Sequence, residues 1–421
     1  MVRSILWGVF LVGLSGCVSG CGGLFPSEPP DFERLDGPIE GLAFEHRYRH
    51  QLGDALFDRV FTPEEGLGPL FVSTSCISCH LGEGKGHPAF GLTRFGSLGD
   101  DGVFDPLRSL GGPQLQSRAL PGFSPEVVPL EATGVTRLLG PIVGGLGYLE
   151  AVDDSVLFRF EEENSGRSDG IRGRVHLVSP NDFLVPVTSL SPLVEEFGPG
   201  RGSEVGSRYV GRFGWKASSI NLLHQTLTAL HQDMGLTTEL MPWEIAHPTE
   251  GPLYLEGVPQ PNLTLADAKV LAFYLRTLRH PPRRRVGDRE VILGGELFRE
   301  IKCAVCHRPT LRTGRHPIPE LDEVEFHPYT DLLLHDMGPE LDDGYTEGAA
   351  GTSEWRTAPL WGLGLAELSQ GGRAYYLHDG RAQTLREAIE YHGGEAAESR
   401  ALFESLSLDE QEALLAYLRS L

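Results

Sequence analysis

Ser75-Cys76-Ile77-Ser78-Cys79-His80 decides how the rest of the chain is read, because Cys-x-x-Cys-His is the attachment sequence for a c-type haem. The two thiols of such a motif add across the haem vinyl groups, and the histidine that follows becomes an iron ligand. A second copy stands at Cys303-Ala304-Val305-Cys306-His307. A single copy could be a zinc knuckle or a redox Cys-x-x-Cys, and two Cys pairs could form one four-cysteine zinc site. That reading leaves both histidines unexplained. It also ignores the matching approaches, Gly68-Pro69-Leu70-Phe71 and Gly295-Glu296-Leu297-Phe298, each with the same step from Phe to the first Cys. The sequence therefore predicts two covalently bound haem c groups, held by Cys76, Cys79 and His80 and by Cys303, Cys306 and His307.

The 421 residues suffice for about two or three domains. A hydrophobic content of 40% supports packed cores rather than disorder. A net charge of -22 excludes a nucleic-acid binder, which needs a basic footprint, and suits an acidic redox protein. The 53 glycines and 30 prolines imply long irregular loops. Four of the six cysteines sit in the motifs and the others, Cys17 and Cys21, near the N-terminus, so no pair remains for a structural disulfide.

Arg3 and the apolar run Ile5–Leu14 have the anatomy of a signal peptide and are too short to span a bilayer comfortably. Leu14-Ser15-Gly16-Cys17 resembles a bacterial lipobox, and Val18-Ser19-Gly20-Cys21 is a second, weaker match. An ordinary secretory signal with incidental cysteines is the alternative. Either reading predicts export to the periplasm, where bacterial c-type haem is attached. No aspartate follows Cys17, which favours the outer membrane. Residues 1–37 are thus expected to be a lipoprotein signal peptide and tether, touching a membrane only through a lipid on Cys17, or on Cys21.

Leu263–Leu278 and Leu406–Leu421 repeat one another: a Thr or Ser cap, early acids, then leucines and an aromatic on one stripe. A helix of this kind closes a class I cytochrome c fold. The expected fold is mainly α, with two cytochrome c-like haem domains, 38–280 and 286–421, joined at Pro281-Pro282-Arg283-Arg284-Arg285. Leu52, Leu56, Phe57 and Val60 predict one face of a first helix over Glu45–Phe61, and another helix is expected near Val152–Glu163. The first domain carries a large Gly- and Pro-rich insertion between His80 and Leu263. Within it, the acidic loop Glu161–Gly170 has the residue types of a Ca2+ site. It lacks EF-hand spacing and carries Arg167, so an ordinary acidic turn is the preferred reading.

Sixth ligands are harder to place. Met234, in His231-Gln232-Asp233-Met234-Gly235, and Met337, in His335-Asp336-Met337-Gly338, each fall between a haem motif and a closing helix. Cytochromes usually keep an axial Met there. Core filler is the alternative, although a Met flanked by Asp and Gly outside a helical stripe fits it poorly. His87, His224, His231 and His335 compete as ligands, with a surface or hydrogen-bonded histidine the preferred reading of each.

Phe61–Phe71, Gly112–Ala119, Gly211–Ala217, Leu333–Gly338, Trp355–Gly364, Tyr376–Arg381 and His392-Gly393-Gly394-Glu395 together resemble the bacterial di-haem oxidoreductases, a peroxidase-like family also called thiol-oxidoreductase-like. The C-terminal part is similar to di-haem cytochrome c peroxidases. The resemblance implies that electrons enter at a C-terminal haem held by His307 and Met337 and pass to a reactive N-terminal haem on His80, where peroxide is reduced or a substrate oxidised. The donor or acceptor would be a small redox protein or a quinol-linked partner. The peroxidases place a Glu after a Gly-Pro, whereas Pro113 here precedes Gln-Leu-Gln-Ser-Arg. Gln114 and Gln116 could orient peroxide and Arg118 could stabilise charge, but an amide cannot shuttle a proton. Loop hydrogen bonding is the alternative for all three. Trp215, Trp355 and Trp361 are relay or core aromatics, and Arg356 and Arg381 are propionate partners on the same footing. A di-haem electron carrier without chemistry of its own is the competing function. The thiol-oxidoreductase label finds no support, since no free cysteine remains for exchange.

Overall fold

Thr264 and Ser407 each accept the backbone N–H three residues on, while Asp267 and Glu410 bond back to the caps. These capping boxes start two helices at corresponding points of the repeat. The structure, a computed structural model, describes residues 35–421 except 101, 254–256 and 259. The signal peptide, Cys17, Cys21 and most of the tether lie outside the described residues.

Twelve α-helices occur among the described residues. The first six are α1 (Phe44–Asp58), α2 (Leu146–Glu150), α3 (Asp154–Ser165), α4 (Ser191–Val194), α5 (Leu222–Met234) and α6 (Leu265–Thr277). Then follow α7 (Arg289–Glu300), α8 (Cys303–Cys306), α9 (Ala366–Ser369), α10 (Leu385–Glu390), α11 (Ala397–Ser405) and α12 (Leu408–Ser420). Extended structure is short and antiparallel, the longest strand being Leu92–Leu98 in a three-stranded sheet. The fold is mainly α with long irregular connections. No helix among the described residues is long and apolar enough to cross a membrane.

The same crossing is built twice. α1 meets α6 where a Cβ on Gly53 would collide with Tyr274, and α7 meets α12 where one on Gly294 would collide with the Ala413 carbonyl. Glycine is what lets each pair of backbones approach so closely. Phe57 packs on Tyr274 at 5.4 Å between ring centroids and Phe298 on Tyr417 at 5.3 Å. This corrects two sequence expectations. The buried face of α1 is His50, Gly53 and Phe57, while Leu52 and Val60 are exposed. The partner of Phe298 is Phe57 rather than Phe71, which sits on a strand opposite Arg118. The two Phe-to-Cys steps match in sequence only, because a long loop parts α1 from Cys76 while α7 runs almost directly into Cys303.

The described residues all belong to one compact unit. Its larger core, around α1, α5 and α6, also takes Leu321, Phe326, Leu333 and Trp361 from the C-terminal half. A second core gathers around α7 and α12. A buried ion pair, Arg276 to Glu150, ties α6 to α2.

Gly294→Ala tests the crossing. Helix propensity alone favours Ala by about 1 kcal/mol. The added methyl must push α7 from α12, so we expect a net loss of about 1–3 kcal/mol. A lower urea midpoint at unchanged slope is the readout.

Candidate haem site

A cavity of about 410 Å³ is lined by all six attachment residues, Cys76, Cys79, His80, Cys303, Cys306 and His307. Both motifs make the same tight turn: His80 N–H donates to Cys76 O and His307 N–H to Cys303 O, each at 3.0 Å. No group of potential metal-binding side chains among the described residues combines cysteines of the two motifs, which removes the four-cysteine zinc site. Burial pushes Cys76 and Cys303 up to about 12 and Cys79 up to about 11, which keeps the unattached thiols protonated.

The histidines suit iron. Burial lowers both His80 and His307 to about 4, keeping the imidazoles neutral. His307 Nδ1 lies 3.0 Å from Tyr329 O, and a donated proton there leaves Nε2 as the ligating atom. His80 Nδ1 is buried without a hydrogen bond, and the Gly84 and Pro141 backbones border the imidazole. Gly140 lies flat against the His80 ring, where a Cβ would come within 2.7 Å of Cε1. Phe57 and Phe298 stand 6.2 and 6.5 Å from the two imidazoles.

The cavity also holds cations that lack a carboxylate. Arg356 is 6% exposed and bonds only the Gly214 and Thr357 carbonyls, and Lys85 donates to Leu377 O at 2.6 Å. Burial pulls Arg356 down to about 10 and Lys85 to about 7. Buried cations facing a cavity call for anions, and haem propionates are of that kind. The site's residues therefore fit haem. Arg381 departs from the expectation: it pairs with Asp379 and the Glu340 carbonyl, away from the cavity lining. Lys85 carried no sequence signal.

Met337 lines the cavity, packed near Trp355, Leu341 and Leu138. Met234 lines it too, but as the last residue of α5, 2% exposed and continuous with the core, rather than outside a helix as the flanking Asp and Gly suggested. Among the competing histidines, His87, His224 and His231 do not line the cavity. His335 does, with both nitrogens engaged by Asp331 at 2.9 Å and Glu395 at 2.7 Å. His392, given no role by the sequence, lines the cavity with its ring 6.5 Å from His307.

The Gly112–Ala119 segment divides. Gln114 is 1% exposed, and its amide donates to Asp233 Oδ1 at 2.8 Å and to Gln232 O at 2.9 Å, while its oxygen accepts from Arg94 Nε at 3.3 Å. Arg94 is in turn paired with buried Glu347. Gln116 is equally buried, its backbone N–H on Glu126 and its side-chain oxygen unpartnered. Arg118 is exposed and faces a separate recess. Of this network Asp233 and Arg94 reach the main cavity; Gln114 and Gln116 do not. Asp233 is the residue that sequence reasoning missed, although it stands beside Met234 in a string singled out for another reason.

Trp215 and Trp355 line the cavity with His378 between them, Trp355 stacked on the imidazole at 3.8 Å and Trp215 edge-on at 6.5 Å. Trp361 stacks on His280 at 5.2 Å. The Glu161–Gly170 loop shows no free acid cluster: Asp169 is taken by Arg167 and Lys302, and Glu163 by Arg308.

Residues 133–421 match the family described as "Di-haem oxidoreductase, putative peroxidase", and the chain belongs to it. It is an oxidoreductase with haem cofactors. The match includes the second attachment motif and begins after the first. Two solved structures are similar over nearly their whole lengths. Kuenenia stuttgartiensis hydrazine synthase, pressurised with 20 bar xenon, has 15% identity over 99% of this chain and 100% of that one, with a TM-score of 0.37. A MauG-like protein associated with microbial copper homeostasis has 16% identity over 94% and 95%, with a TM-score of 0.39. No curated protein matches the chain.

Proposed function

We propose that the chain is a di-haem c-type peroxidase in which electrons enter at the His307 haem and are used at the His80 haem. The single observation that carries this is Asp233. Its carboxylate reaches the cavity near Cys76 and Cys79, with one oxygen on Gln114 and the other free of hydrogen bonds. By contrast, the carboxylates beside the second motif, Asp331 and Glu395, are both engaged by His335. That asymmetry supports chemistry at the first motif and electron storage at the second.

Bound haem supplies the electrons and the iron at which a peroxide O–O bond is cleaved. Asp233 takes a proton from the near oxygen of peroxide and returns it to the leaving oxygen, a task no amide can perform. Two electrons and two protons convert one peroxide to two waters. Gln114 holds the carboxylate in place, and Arg94, fixed by Glu347, presents positive charge to the same wall. Lys85 and Arg356 orient the propionates. Trp215, His378 and Trp355 form the aromatic path between the haems.

Each half is read as a cytochrome c-like haem unit, 38–280 and 286–421, on the strength of the repeated Gly-and-aromatic helix crossing. Both haems are covalently attached, with Met337 the sixth ligand of the second. The protein is exported and lipid-anchored through Cys17 at the outer membrane, and a small redox protein or quinol-linked partner exchanges electrons with it. Calcium has no loop to support it at Glu161–Gly170.

Spectra of the half-reduced holoprotein with and without peroxide test the reading. Peroxide should change the signal of one haem only. Two six-coordinate low-spin signals that peroxide leaves untouched would establish the electron-carrier function instead.

A further inference from the structure

A second, smaller recess of about 180 Å³ lies on the other side of Cys79, which lines both cavities. Two antiparallel strand pairings build its rim. Arg137 stands opposite Thr93 in the pairing of Gly134–Leu138 with Leu92–Leu98, and Arg118 opposite Phe71 in the pairing of Arg118–Ala119 with Leu70–Phe71. Ser117 and the Phe90–Gly91 turn complete the wall. The Arg137 side chain crosses Gly91 so closely that a Cβ there would lie 2.8 Å from Nε.

The lining has an unusual balance of charge. It contains two guanidinium groups and two hydroxyls but no carboxylate. Both guanidinium groups sit on exposed residues at the rim, whereas the buried Arg94, Arg212 and Arg276 are each paired with a carboxylate, Glu347, Asp154 and Glu150. The Arg118 guanidinium makes no hydrogen bond or ion pair with the described residues, and Arg137 uses one nitrogen on the Pro88 carbonyl. The Thr93 and Ser117 hydroxyls have no partner within the described residues either. Guanidinium and hydroxyl donors lining one recess without a carboxylate match an anionic head group, which a guanidinium can bind bidentately.

We propose that this recess binds a small carboxylate or oxyanion against the Cys79 edge of the first haem. The site would hold an anionic substrate or effector next to the reactive centre, within a protein whose net charge of -22 otherwise repels anions. It stands on the rim geometry and does not depend on the peroxidase reading.

Calorimetric titration of the holoprotein with inorganic phosphate and, separately, with acetate at low ionic strength tests it, with chloride as the non-specific control. One saturable site is expected. Arg118→Gln and Arg137→Gln should each weaken binding by about tenfold or more, since each removes a charge-assisted hydrogen bond. Arg118→Lys should restore part of the loss and would separate charge from folding effects. Saturation by phosphate alone would define an oxyanion site, and by acetate alone a carboxylate site. Absence of saturable heat with both anions, equal binding of chloride, or unchanged affinity in the double variant would overturn the proposal. Peroxide-induced spectral changes at the haem would be unaffected by that outcome, so the two readings fail separately.

Discussion

Met337→Ala lowers the midpoint potential of one haem by on the order of 100 mV and leaves the other in place. A thioether ligand favours the reduced iron, and removing it lets water or another donor take the position. The backbone around Met337 is well fixed. Its N–H bonds Ser353 O at 2.9 Å, and it directly follows a strand, Leu334–Asp336, that pairs with Glu354–Arg356. Gly338, at φ 76°, passes next to the Gly393–Gly394 backbone, where a side chain would strike Gly394 N. The variant should therefore keep its fold, and potentiometric titration reads the ligand alone. Unchanged potentials would reject Met337 and turn attention to His392, whose replacement by Ala would then shift the same haem.

Asp233→Asn is expected to lower the peroxidase turnover number by about 10²–10⁴-fold, the usual contribution of a positioned general acid–base. The amide keeps the shape and can still bond Gln114, so the haem spectra should change little. The pH profile separates proton transfer from packing. Burial raises the Asp233 carboxyl to about 6, with Gln114 and Arg94 acting in the opposite sense. As the base, it must be ionised, so kcat/KM of the parent should fall as pH drops through about 6, and that limb should vanish in the variant. Stability runs the other way. A raised pKa means the native state holds its proton where the unfolded chain has lost it. The favourable contribution is complete below the ordinary carboxylate range and is lost as pH rises through about 6. The Asp233→Asn substitution removes that slope, which urea midpoints at pH 5 and 7 would show; a slope that persists would assign it to another group. The two pH values bracket the shifted pKa.

Much of this was legible in the chain. Two copies of Cys-x-x-Cys-His pointed to haem, the cofactor of the family to which the chain belongs, because the motif gathers two thiols and an imidazole within one short turn. Capping residues and stripes at 263–278 and 406–421 sufficed for the closing helices, since caps and periodicity act within a few residues of each other. Met337, singled out by its position between the second motif and the closing helix, lines the cavity.

Long-range relations were not legible. The place of Asp233 in the cavity wall could not be read from its neighbours in the chain, because the Gln114 that holds its carboxylate lies more than a hundred residues earlier. His335 is the hydrogen-bonded histidine that was the preferred reading, but its partners, Asp331 and Glu395, could not be named from the sequence. Phe57 was read correctly as a helix-face residue, but Phe71 was matched to Phe298 in its place, because a matching step in sequence says nothing about where an intervening loop returns the chain. Gly53 and Gly294 carry no pattern of their own, and their role exists only where a second helix needs the space of a missing side chain. The sequence by itself determined the cofactor chemistry and the helices, which depend on neighbours a few residues apart. Only the tertiary structure decided which carboxylates, cations and aromatics face the haem cavity, because burial and charge pairing depend on segments that meet solely in the folded chain.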